Sequence, residues 1–378
     1  MNQDAKAARR LAVVQMLPAL ESGGVERGTL EVGKYLVEHG HRSIVISAGG
    51  RLVPQLEREG SEHLAWDVGR KSLLTPLRYV RRLRRFLREE RIDILHVRSR
   101  MPGWIGYLAW KGMDAAWRPH FVSTVHGPYS VNRYGSVMVR GERVIAISHM
   151  IVDYIQRNYP DVPRETIRLI HRGVDPVQFP YGYQPSAEWL ENWRMDYPQL
   201  VNRRVIVLPA RITRWKGQED FIQIMADLVA AGMNVHGLIV GEAHPRRREF
   251  MDQLQSLCKT LGLAQHITFT GHRGDLKEIM AVSDIVLSLS REPEAFGRVT
   301  LEALSLGKPV IAYDHGGVSE QLAAILPEGA VPTGDTRAVA NKISHWLQQS
   351  PVVPPRNPFT LAHMLSATLD VYRELAIA

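Results

Sequence analysis

The sequence predicts an α/β protein made of two doubly wound, Rossmann-like domains, and three observations lead to this fold class. Short apolar runs alternate with amphipathic stretches along the chain. The alternation comes in two series, separated by a segment without an obvious strand. A length of 378 residues is sufficient for two domains that each bury a core of their own.

The first series of apolar runs predicts five strands, each buried on both faces of a parallel sheet. Their sequences are LAVVQML, RSIVIS, DILHV, FVSTVHG and RVIAIS. The stretches ERGTLEVGKYLVEHG and LRYVRRLRRFLREERI have helical periodicity and lie between them. This series defines a predicted N-terminal domain over residues 1–178.

The second series repeats the scheme and defines a predicted C-terminal domain over residues 179–356. Its predicted strands are RVIVLPAR, VHGLIVGE, HITFTG, DIVLSLS and KPVIAYD, with a helix at QEDFIQIMADLVAAG. Residues 179–203 are rich in Pro, Tyr and Trp, lack a clear strand and are interpreted as the linker region. Residues 357–378 predict a final amphipathic helix after a proline-rich crossing.

Composition limits the classes of protein that the chain can belong to. Hydrophobic residues make up 45% and charged residues 23%, and the single cysteine, Cys258, excludes a disulfide framework and a cysteine-based metal site. The first apolar run ends at Pro18 and is too short for a secretory or spanning segment. We therefore expect a cytoplasmic, soluble protein that is at most attached peripherally to the inner face of the cell membrane.

Positive charge is concentrated in the N-terminal half. Residues 1–175 contain 28 Lys and Arg against 18 Asp and Glu, a balance of +10. Of the chain totals of 47 basic and 39 acidic residues, this leaves 19 and 21, a balance of −2, for the remainder. Such an asymmetry indicates that the N-terminal half meets an anionic partner.

Ligands of open α/β sheets bind at the carboxyl ends of the strands, so the loops that follow the strands hold the candidate residues. After the first strand, Gly23 and Gly24 allow the backbone to approach a ligand, and the helix behind them offers its N-terminal N–H groups to a phosphate. A tight turn that needs glycine only for its dihedral angles explains them equally well. The spacing is not the dinucleotide fingerprint.

Two cations and a histidine occupy similar positions after other strands. Arg211 and Lys216 lie between a predicted strand and a helix, where two cations can reach a diphosphate. The alternative is a solvated surface pair. His126 ends a strand in TVHGPY, where it has either a structural or a functional role.

Two carboxylates flank the loop AFGRV with seven residues between them. Glu294 lies over a strand end, and Glu302 lies in the helix that follows. Carboxylates accept hydrogen bonds from hydroxyls, so the pair suits a ribose and a hexose, while the loop can offer N–H groups to phosphate. The alternative is a helix N-terminal glutamate and a surface glutamate.

In this order and context, Arg211, Lys216, Glu294 and Glu302 resemble the retaining GT-B glycosyltransferases of family four, of lipopolysaccharide and polysaccharide type. The resemblance covers essentially the whole chain, including the Gly-Gly loop, IHRGVDPVQF, GHRGDLKEIMAVSDIVLSLS and GKPVIAYDHGGVSEQL. One departure is Arg172-Gly173 where the family usually has Asn-Gly, at the hinge. The family implies two domains that face each other across a cleft, with the C-terminal helix crossing back to the N-terminal domain.

The resemblance also implies a role for each candidate residue. Arg211 and Lys216 would hold the diphosphate of a nucleotide sugar, for which UDP is the expected nucleotide, and Glu302 would hold the ribose. Glu294 would bind donor-sugar hydroxyls, Gly23 and Gly24 would cap the pyrophosphate, and His126 would lie beside donor sugar and acceptor. The backbone of Phe296, Gly297, Arg298 and Val299 would approach sugar and phosphate, and that near His272 and Arg273 would face the base.

The expected reaction is transfer of a hexose from this donor, its substrate, to an acceptor hydroxyl, with no separate cofactor. Arg211, Lys216 and a helix end can stabilise the leaving diphosphate without a metal, and the sequence contains no Asp-x-Asp. The family implies retention of anomeric configuration. No nucleophile is marked out, so a front-side route through an oxocarbenium-like state is the default expectation.

The acceptor is expected to be a glycan, a glycolipid or a lipopolysaccharide core. Arg98 and Arg100 end a strand and could face an anionic acceptor. One predicted helix has an apolar face and an arginine face, which suits either packing with a solvated surface or attraction to an anionic leaflet. The apolar face comprises Leu73, Leu77, Val80, Leu83 and Leu87, and the basic face Arg78, Arg81, Arg82, Arg85 and Arg88.

Other functions remain as alternatives. A sugar-nucleotide epimerase or hydrolase can have the same fold, as can a non-catalytic protein that binds nucleotide sugars. Nucleic-acid binding lacks a recognised motif or aromatic-basic interleaving, so no nucleic-acid partner is expected. A nicotinamide oxidoreductase is disfavoured by the missing fingerprint.

Overall fold

The computed structural model describes residues 9–21, 23–70, 74–243 and 248–377. The described chain divides into two compact units. The first unit extends to His171 and includes the residues from Ala362 onward, and the second extends from Arg172 to Leu361. The predicted domain boundary, after residue 178, lies seven residues beyond His171.

The first unit is a seven-stranded parallel sheet with the strand order β3-β2-β1-β4-β5-β6-β7. Its strands are β1 (Ala12–Met16), β2 (Arg42–Ser47), β3 (Glu62–Ala65), β4 (Ile94–Val97), β5 (His120–Val125), β6 (Arg143–Ala146) and β7 (Ile167–Leu169). Its helices are α1 (Gly24–Glu38), α2 (Val53–Arg58), α3 (Leu74–Glu89), α4 (Arg100–Lys111) and α5 (His149–Asn158).

The second unit is a six-stranded parallel sheet with the order β10-β9-β8-β11-β12-β13. Its strands are β8 (Arg204–Pro209), β9 (Val235–Val240), β10 (Ile267–Gly271), β11 (Ile285–Ser288), β12 (Val310–Tyr313) and β13 (Ala330–Val331). Its helices are α6 (Ala187–Asp196), α7 (Gln218–Ala230), α8 (Arg248–Thr260), α9 (Leu276–Val282), α10 (Arg298–Ser305), α11 (Gly316–Ile325) and α12 (Thr336–Gln348). Two doubly wound domains are therefore confirmed.

The apolar runs become strands because the interior of each sheet removes their side chains from water on both faces. Val14, Ile44 and Phe121 in the first unit, and Val207 and Ile311 in the second, have no exposed surface. Three strands that the apolar runs did not reveal, β3, β7 and β13, are short and lie at the sheet edges. The residues of β3 are exposed or half-buried, and this strand has no continuous apolar run.

Residues 179–203, interpreted as a linker, belong to the second unit and contain α6. Trp193 of α6 is buried, with 7% of its surface exposed. Ser186 caps the helix by accepting a hydrogen bond from the backbone N–H of Trp189. This segment is therefore a folded part of the second unit, with Trp193 in its interior.

The chain passes between the units at two points, and these two segments lie side by side. Val174 and Thr360 form a parallel bridge, and the Val174 N–H donates to the Phe359 carbonyl at 3.0 Å. A Cβ at Gly173 would lie 2.2 Å from the carbonyl oxygen of Thr360. The close backbone approach explains the glycine of the Arg172-Gly173 sequence.

The final helix, α13 (Leu361–Ile377), returns to the first unit, as expected. The Tyr372 hydroxyl lies 2.6 Å from His96 Nδ1 in β4. Glu374 forms ion pairs with Arg143 and Arg168, with nitrogen–oxygen distances of 2.5 and 2.6 Å. These contacts attach the C-terminal helix to the sheet.

The arginine-rich helix α3 has the two faces that its periodicity predicts. Leu83 and Leu87 are buried in the core of the first unit, and Val80 packs against that core. Leu73 lies outside the described residues, as does the side chain of Leu77. The exposed residues of the opposite face are Arg78, Arg81, Arg82, Arg85 and Arg88. Within the described chain, no helix combines the length and apolar character needed to span a membrane.

Candidate functional site

The loop after β8 carries Arg211 and Lys216 and leads into α7. Gly217 precedes α7 with a φ of +74°, a left-handed conformation that favours glycine. A Cβ at this position would lie 2.0 Å from the carbonyl oxygen of Leu289 at the end of β11. Glycine therefore lets the loop after β8 press against the loop after β11.

This approach brings two predicted site residues into direct contact. Lys216 Nζ lies 2.7 Å from Glu294 Oε1, and both side chains are largely buried. The same oxygen accepts a hydrogen bond from Ser290 Oγ at 2.5 Å. Lys216 and Glu294 are 78 residues apart in the chain, so this ion pair comes from the alignment of β8 and β11 in the sheet.

Burial lowers the pKa of Lys216, and the nearby positive charge of Arg211 lowers it further, while Glu294 opposes both effects. Arg211 itself is exposed. The two cations thus lie close enough to interact, and only one of them is matched by Glu294. An incoming anion would relieve the repulsion between them.

The loop after β11 leads into α10 through a second glycine with a left-handed backbone conformation. Gly297 has a φ of +83°, and a Cβ there would lie 2.3 Å from Val318 Cγ2. Gln321, fully buried, donates from Nε2 to the carbonyl oxygens of Phe296 and Gly297. These contacts fix the backbone that leads to Arg298 and Val299, the first two residues of α10.

Glu302 lies in the second turn of α10 and is buried, with 5% of its surface exposed. Its Oε1 accepts a hydrogen bond from Arg298 Nε at 3.1 Å. A buried carboxylate needs such partners because desolvation penalises its charge. Glu302 is therefore a buried carboxylate with a charged partner, and the reading of a surface glutamate is wrong.

A third loop, after β12, contributes residues to the site that sequence reasoning did not select. Gly317 donates its N–H to the Glu294 carbonyl at 2.8 Å, and His315 Nε2 lies 2.6 Å from the Ser290 carbonyl. A Cβ at Gly316 would lie 2.5 Å from the Glu294 carbonyl oxygen. The Gly-Gly pair directly after a predicted strand was the available signal.

The loop after β10 carries His272 and Arg273. His272 is exposed. The Arg273 guanidinium makes two hydrogen bonds to Asp275, at 2.9 and 2.7 Å, and Trp189 Nε1 donates to the same carboxylate at 2.9 Å. Burial opposes ionisation of Asp275, but these donors outweigh it and its pKa is lowered. Asp275 thus joins the Arg273 side chain to Trp189 of α6.

Gly23 and Gly24 form the start of α1 in the first unit. Gly23 is the N-cap residue in an extended conformation, and α1 begins at Gly24. A Cβ at Gly24 would have no atom within 4 Å, and one at Gly23 would meet only the flexible side chain of Glu26. The folded unit alone therefore imposes no steric need for a second glycine.

His126 follows β5 in the first unit. Its N–H lies 3.4 Å from the hydroxyl of Tyr129, a residue whose carbonyl accepts a hydrogen bond from Tyr154. The guanidinium of Arg100 lies 5.2 Å from the ring centroids of both Tyr129 and Tyr134. Cation–π contacts of this kind hold Arg100 against the loop that follows His126.

Arg98 differs from its expected role. We expected it to face an anionic acceptor, but it is buried, with 3% of its surface exposed, and its Nε donates to Gln15 Oε1 at 2.8 Å. Gln15 in turn donates to the Thr29 carbonyl in α1 at 3.1 Å. Burial lowers the pKa of Arg98. Arg98 therefore has a structural role in linking β4, β1 and α1.

The parallel sheets, the strand-end loops and the family matches define the class of the protein. Residues 22–178 match the family described as Glycosyltransferase Family 4, and residues 191–358 match Glycosyl transferases group 1. The chain belongs to the GT-B-fold glycosyltransferases.

Solved structures and curated relatives support this assignment. The crystal structure of a glycosyltransferase from Rickettsia africae ESF-5 matches with a TM-score of 0.85 and 31% identity, over 97% of this chain and 98% of that chain. N-acetyl-alpha-D-glucosaminyl L-malate synthase of Bacillus anthracis is 26% identical, over 88% of this chain and 86% of its own length. Anabaena Alr3699/HepE, in complex with UDP and glucose, has a TM-score of 0.76 and 20% identity over 97% and 99% of the two chains.

Proposed function

We propose that this glycosyltransferase moves a hexose from a UDP-sugar to an acceptor hydroxyl with retention of anomeric configuration. The observation that supports the proposal is the Lys216–Glu294 pair, in which a largely buried cation and a carboxylate meet beyond the ends of β8 and β11. The UDP and glucose of the Anabaena structure support this choice of donor.

In the proposed mechanism, Arg211 and Lys216 hold the diphosphate. The bond to be broken joins the anomeric carbon of the sugar to this group, so negative charge grows on the leaving oxygen. Two cations beside the leaving oxygen stabilise that charge, and Lys216 does so more strongly than it would in bulk solvent because it is largely buried. Because they supply the positive charge, transfer needs no metal.

The carboxylates divide the recognition of the donor between them. Glu294 accepts from hydroxyls of the hexose, and Glu302 accepts from the ribose hydroxyls. The backbone of Phe296, Gly297, Arg298 and Val299 lies beside sugar and phosphate. This assignment is supported by the fixed backbone at Gly297 and by the burial of Glu302.

The remaining predicted residues have supporting roles. Gly23 and Gly24, at the N-terminus of α1, cap the pyrophosphate. The backbone of His272 and Arg273 faces the base, and His126 lies beside the donor sugar and the acceptor.

We infer that the leaving group departs and the acceptor attacks on the same face of the donor sugar, through an oxocarbenium-like state.

We also propose that the acceptor is a glycolipid, lipopolysaccharide core or cell-surface polysaccharide made at an anionic inner leaflet. The exposed arginine face of α3 supports this proposal. Neighbouring α4 adds Leu108, with 39% of its surface exposed, and the following loop adds Trp117, with 72% exposed. Trp and Arg together suit the headgroup region, where an aromatic ring and a cation are both stabilised.

Screening of nucleotide sugars tests the donor. UDP-hexoses should raise the melting temperature more than GDP- or ADP-hexoses, and the stabilising sugar should be hydrolysed slowly in the absence of acceptor and in the presence of a chelator. A strict requirement for divalent cation would contradict the role of Arg211 and Lys216. Interconversion of two UDP-sugars without transfer would identify an epimerase instead.

Vesicle sedimentation tests the membrane proposal. The protein should bind anionic vesicles at low salt and dissociate as ionic strength rises, because salt screens surface charge. Replacing Arg81, Arg82, Arg85 and Arg88 by Gln should reduce binding and leave donor hydrolysis nearly unchanged. Absence of binding by the parent protein would mean that the arginine face of α3 is only a solvated surface.

A further inference from the structure

A buried carboxylate behind the Lys216–Glu294 pair collects three hydrogen-bond donors. Asp220, with 3% of its surface exposed, accepts from Arg291 Nε at 2.9 Å and from Tyr313 Oη at 2.8 Å through the same oxygen, Oδ2. Arg291 Nη2 donates to the other oxygen, Oδ1. We call these three residues the Asp220 cluster.

The three members lie in or directly beside the three loops that build the candidate site. Asp220 lies in the first turn of α7, four residues after Lys216. Arg291 lies in the loop after β11, three residues before Glu294. Tyr313 is the last residue of β12. The Asp220 cluster therefore joins the chain segments that hold the candidate site residues.

Arg291 is held at its backbone as well as at its side chain. Its N–H donates to the Trp215 carbonyl at 2.7 Å, next to Lys216. The hydrogen bonds that Arg291 donates to Asp220 hold the pKa of Arg291 above its ordinary range, so the guanidinium remains a donor. Burial raises the pKa of Tyr313, which keeps its hydroxyl protonated as the third donor.

The geometry points to Arg291 as a positioning residue: through Asp220 it fixes the loop after β8 against the loop after β11. The side chain of Arg291 points to Asp220 and has no assigned contact with the donor. Its expected effect is to keep Lys216 and Glu294 at the spacing that transfer requires. This inference rests on the proposed function, because it assumes that both residues act on the same donor.

Displacements of about 1 Å cost roughly a hundredfold in rate when reacting groups must be aligned. Ground-state binding of a diphosphate by two cations depends less steeply on distance, because a charge–charge interaction falls off only as the inverse of the separation. Loss of Arg291 should therefore reduce turnover much more than it weakens binding of the nucleotide. Loss of a residue that only stabilised the fold would not reduce turnover more than it weakens nucleotide binding.

A second ion pair between the same two strands provides a matched control. Arg204, the first residue of β8, pairs with Asp284, directly before β11, at 2.8 Å. This pair lies at the amino ends of the strands, whereas Arg291 and Asp220 lie beyond their carboxyl ends. Arg204→Ala thus removes an Arg–Asp contact between these strand regions without touching the site.

The test compares Arg291→Ala, Arg291→Lys, Tyr313→Phe and Arg204→Ala in UDP-hexose turnover and in calorimetry with UDP. We expect Arg291→Ala to lower kcat about tenfold to a hundredfold, with the Kd for UDP within about threefold of the parent value. Arg291→Lys keeps the charge but not the two-bond fork, so it should restore part of kcat. Guanidinium ion at non-denaturing concentration should also restore part of it, since Arg291 is half-exposed.

Equal turnover in Arg291→Ala and Arg204→Ala would overturn the proposal, as would a loss of UDP binding equal to the loss of kcat. If Arg291→Ala does not fold, the proposal is tested with Arg291→Lys and Tyr313→Phe, again by measuring kcat and the Kd for UDP. A parent protein without activity toward any sugar nucleotide would refute the proposed function, a result distinct from both of these.

Discussion

The two units have the same doubly wound parallel architecture but treat polar groups at their strand ends differently. In the second unit, opposite charges meet there, with Lys216 against Glu294 and Arg291 against Asp220. In the first unit, the buried cation Arg98 donates to the neutral side chain of Gln15. Five further arginines of this unit form an exposed face on α3.

This difference shows how one architecture can serve two purposes. Paired charges in the second unit hold loops in place. Under the proposed function these charges are redistributed when the donor binds, because Glu294 then exchanges a cation for hydroxyls. In the first unit a neutral partner holds the buried Arg98, and the exposed arginines of α3 carry positive charge that can attract anions. The predictions below test whether chemistry belongs to the second unit and whether the loop at Gly23 and Gly24 is shaped for a ligand.

The largest effect is expected from the two carboxylates of the second unit. Glu294→Gln should lower turnover about a hundredfold or more, because it removes a charged acceptor at the sugar. It should leave the Kd for UDP nearly unchanged. Glu302→Ala should instead weaken UDP about tenfold to a hundredfold, through loss of hydrogen bonds to a charged group. Calorimetry with UDP alone separates the two, and equal losses in both variants would refute the assignment.

Gly217 should be the most sensitive glycine of the second unit. Gly217→Ala combines a φ of +74° with a Cβ placed 2.0 Å from the Leu289 carbonyl oxygen. Backbone cannot move aside as a side chain can, so we expect a loss of about 2 kcal/mol or more in unfolding free energy. Denaturant unfolding measures this loss. An unchanged midpoint would mean that the two loops separate freely.

Gly24 provides the contrasting test in the first unit. Gly24→Ala meets no atom within 4 Å, and alanine favours the helix, so stability should stay within about 0.5 kcal/mol of the parent value. If the loop is shaped for a pyrophosphate, the KM for the donor should nevertheless rise. An unaltered KM would reduce Gly23 and Gly24 to an ordinary turn.

The pH dependence of nucleotide binding tests the buried cation. Burial lowers the pKa of Lys216 in the free protein, whereas a bound diphosphate favours the protonated amine. Affinity for UDP should therefore be complete below the lowered pKa and fall as the pH rises through it. Lys216→Met should bind weakly and lose this dependence, which calorimetry across alkaline pH can measure. The same slope in Lys216→Met would assign the titration to another group.

Much of the fold was predictable because the central strands are continuous apolar runs, whereas β3, β7 and β13 are short and lie at sheet edges. Lys216 and Glu294 were predictable one at a time, since each follows a strand. The contact between them was not predictable, because it depends on which strands are neighbours in the sheet.

Asp220 resembles an ordinary acidic residue in the first turn of a helix, and Arg291 resembles a surface residue, so the local sequence does not reveal that they form a pair. The role suggested for Arg98 was wrong, because its position at a strand end does not reveal whether the side chain is buried.

The smallest effect is expected from Glu374, which attaches α13 to the first unit. Hydrogen bonds from Arg143 and Arg168 lower its pKa to about 2. Because the folded pKa is depressed, the contribution to stability is complete above the ordinary glutamate pKa and is lost as the pH falls toward 2. The side chain is 38% exposed, so screening limits the contribution to about 1 kcal/mol or less.

Glu374→Gln should therefore lower the denaturant midpoint slightly at neutral pH, and this difference from the parent protein should shrink below about pH 4. Asp370→Asn is the control in the same helix, because Asp370 is 66% exposed and lies 3.8 Å from Arg373. It should have no measurable effect. A deficit for Glu374→Gln that is as large at pH 3 as at pH 7 would show that the Glu374 side chain stabilises α13 by packing rather than by its charge.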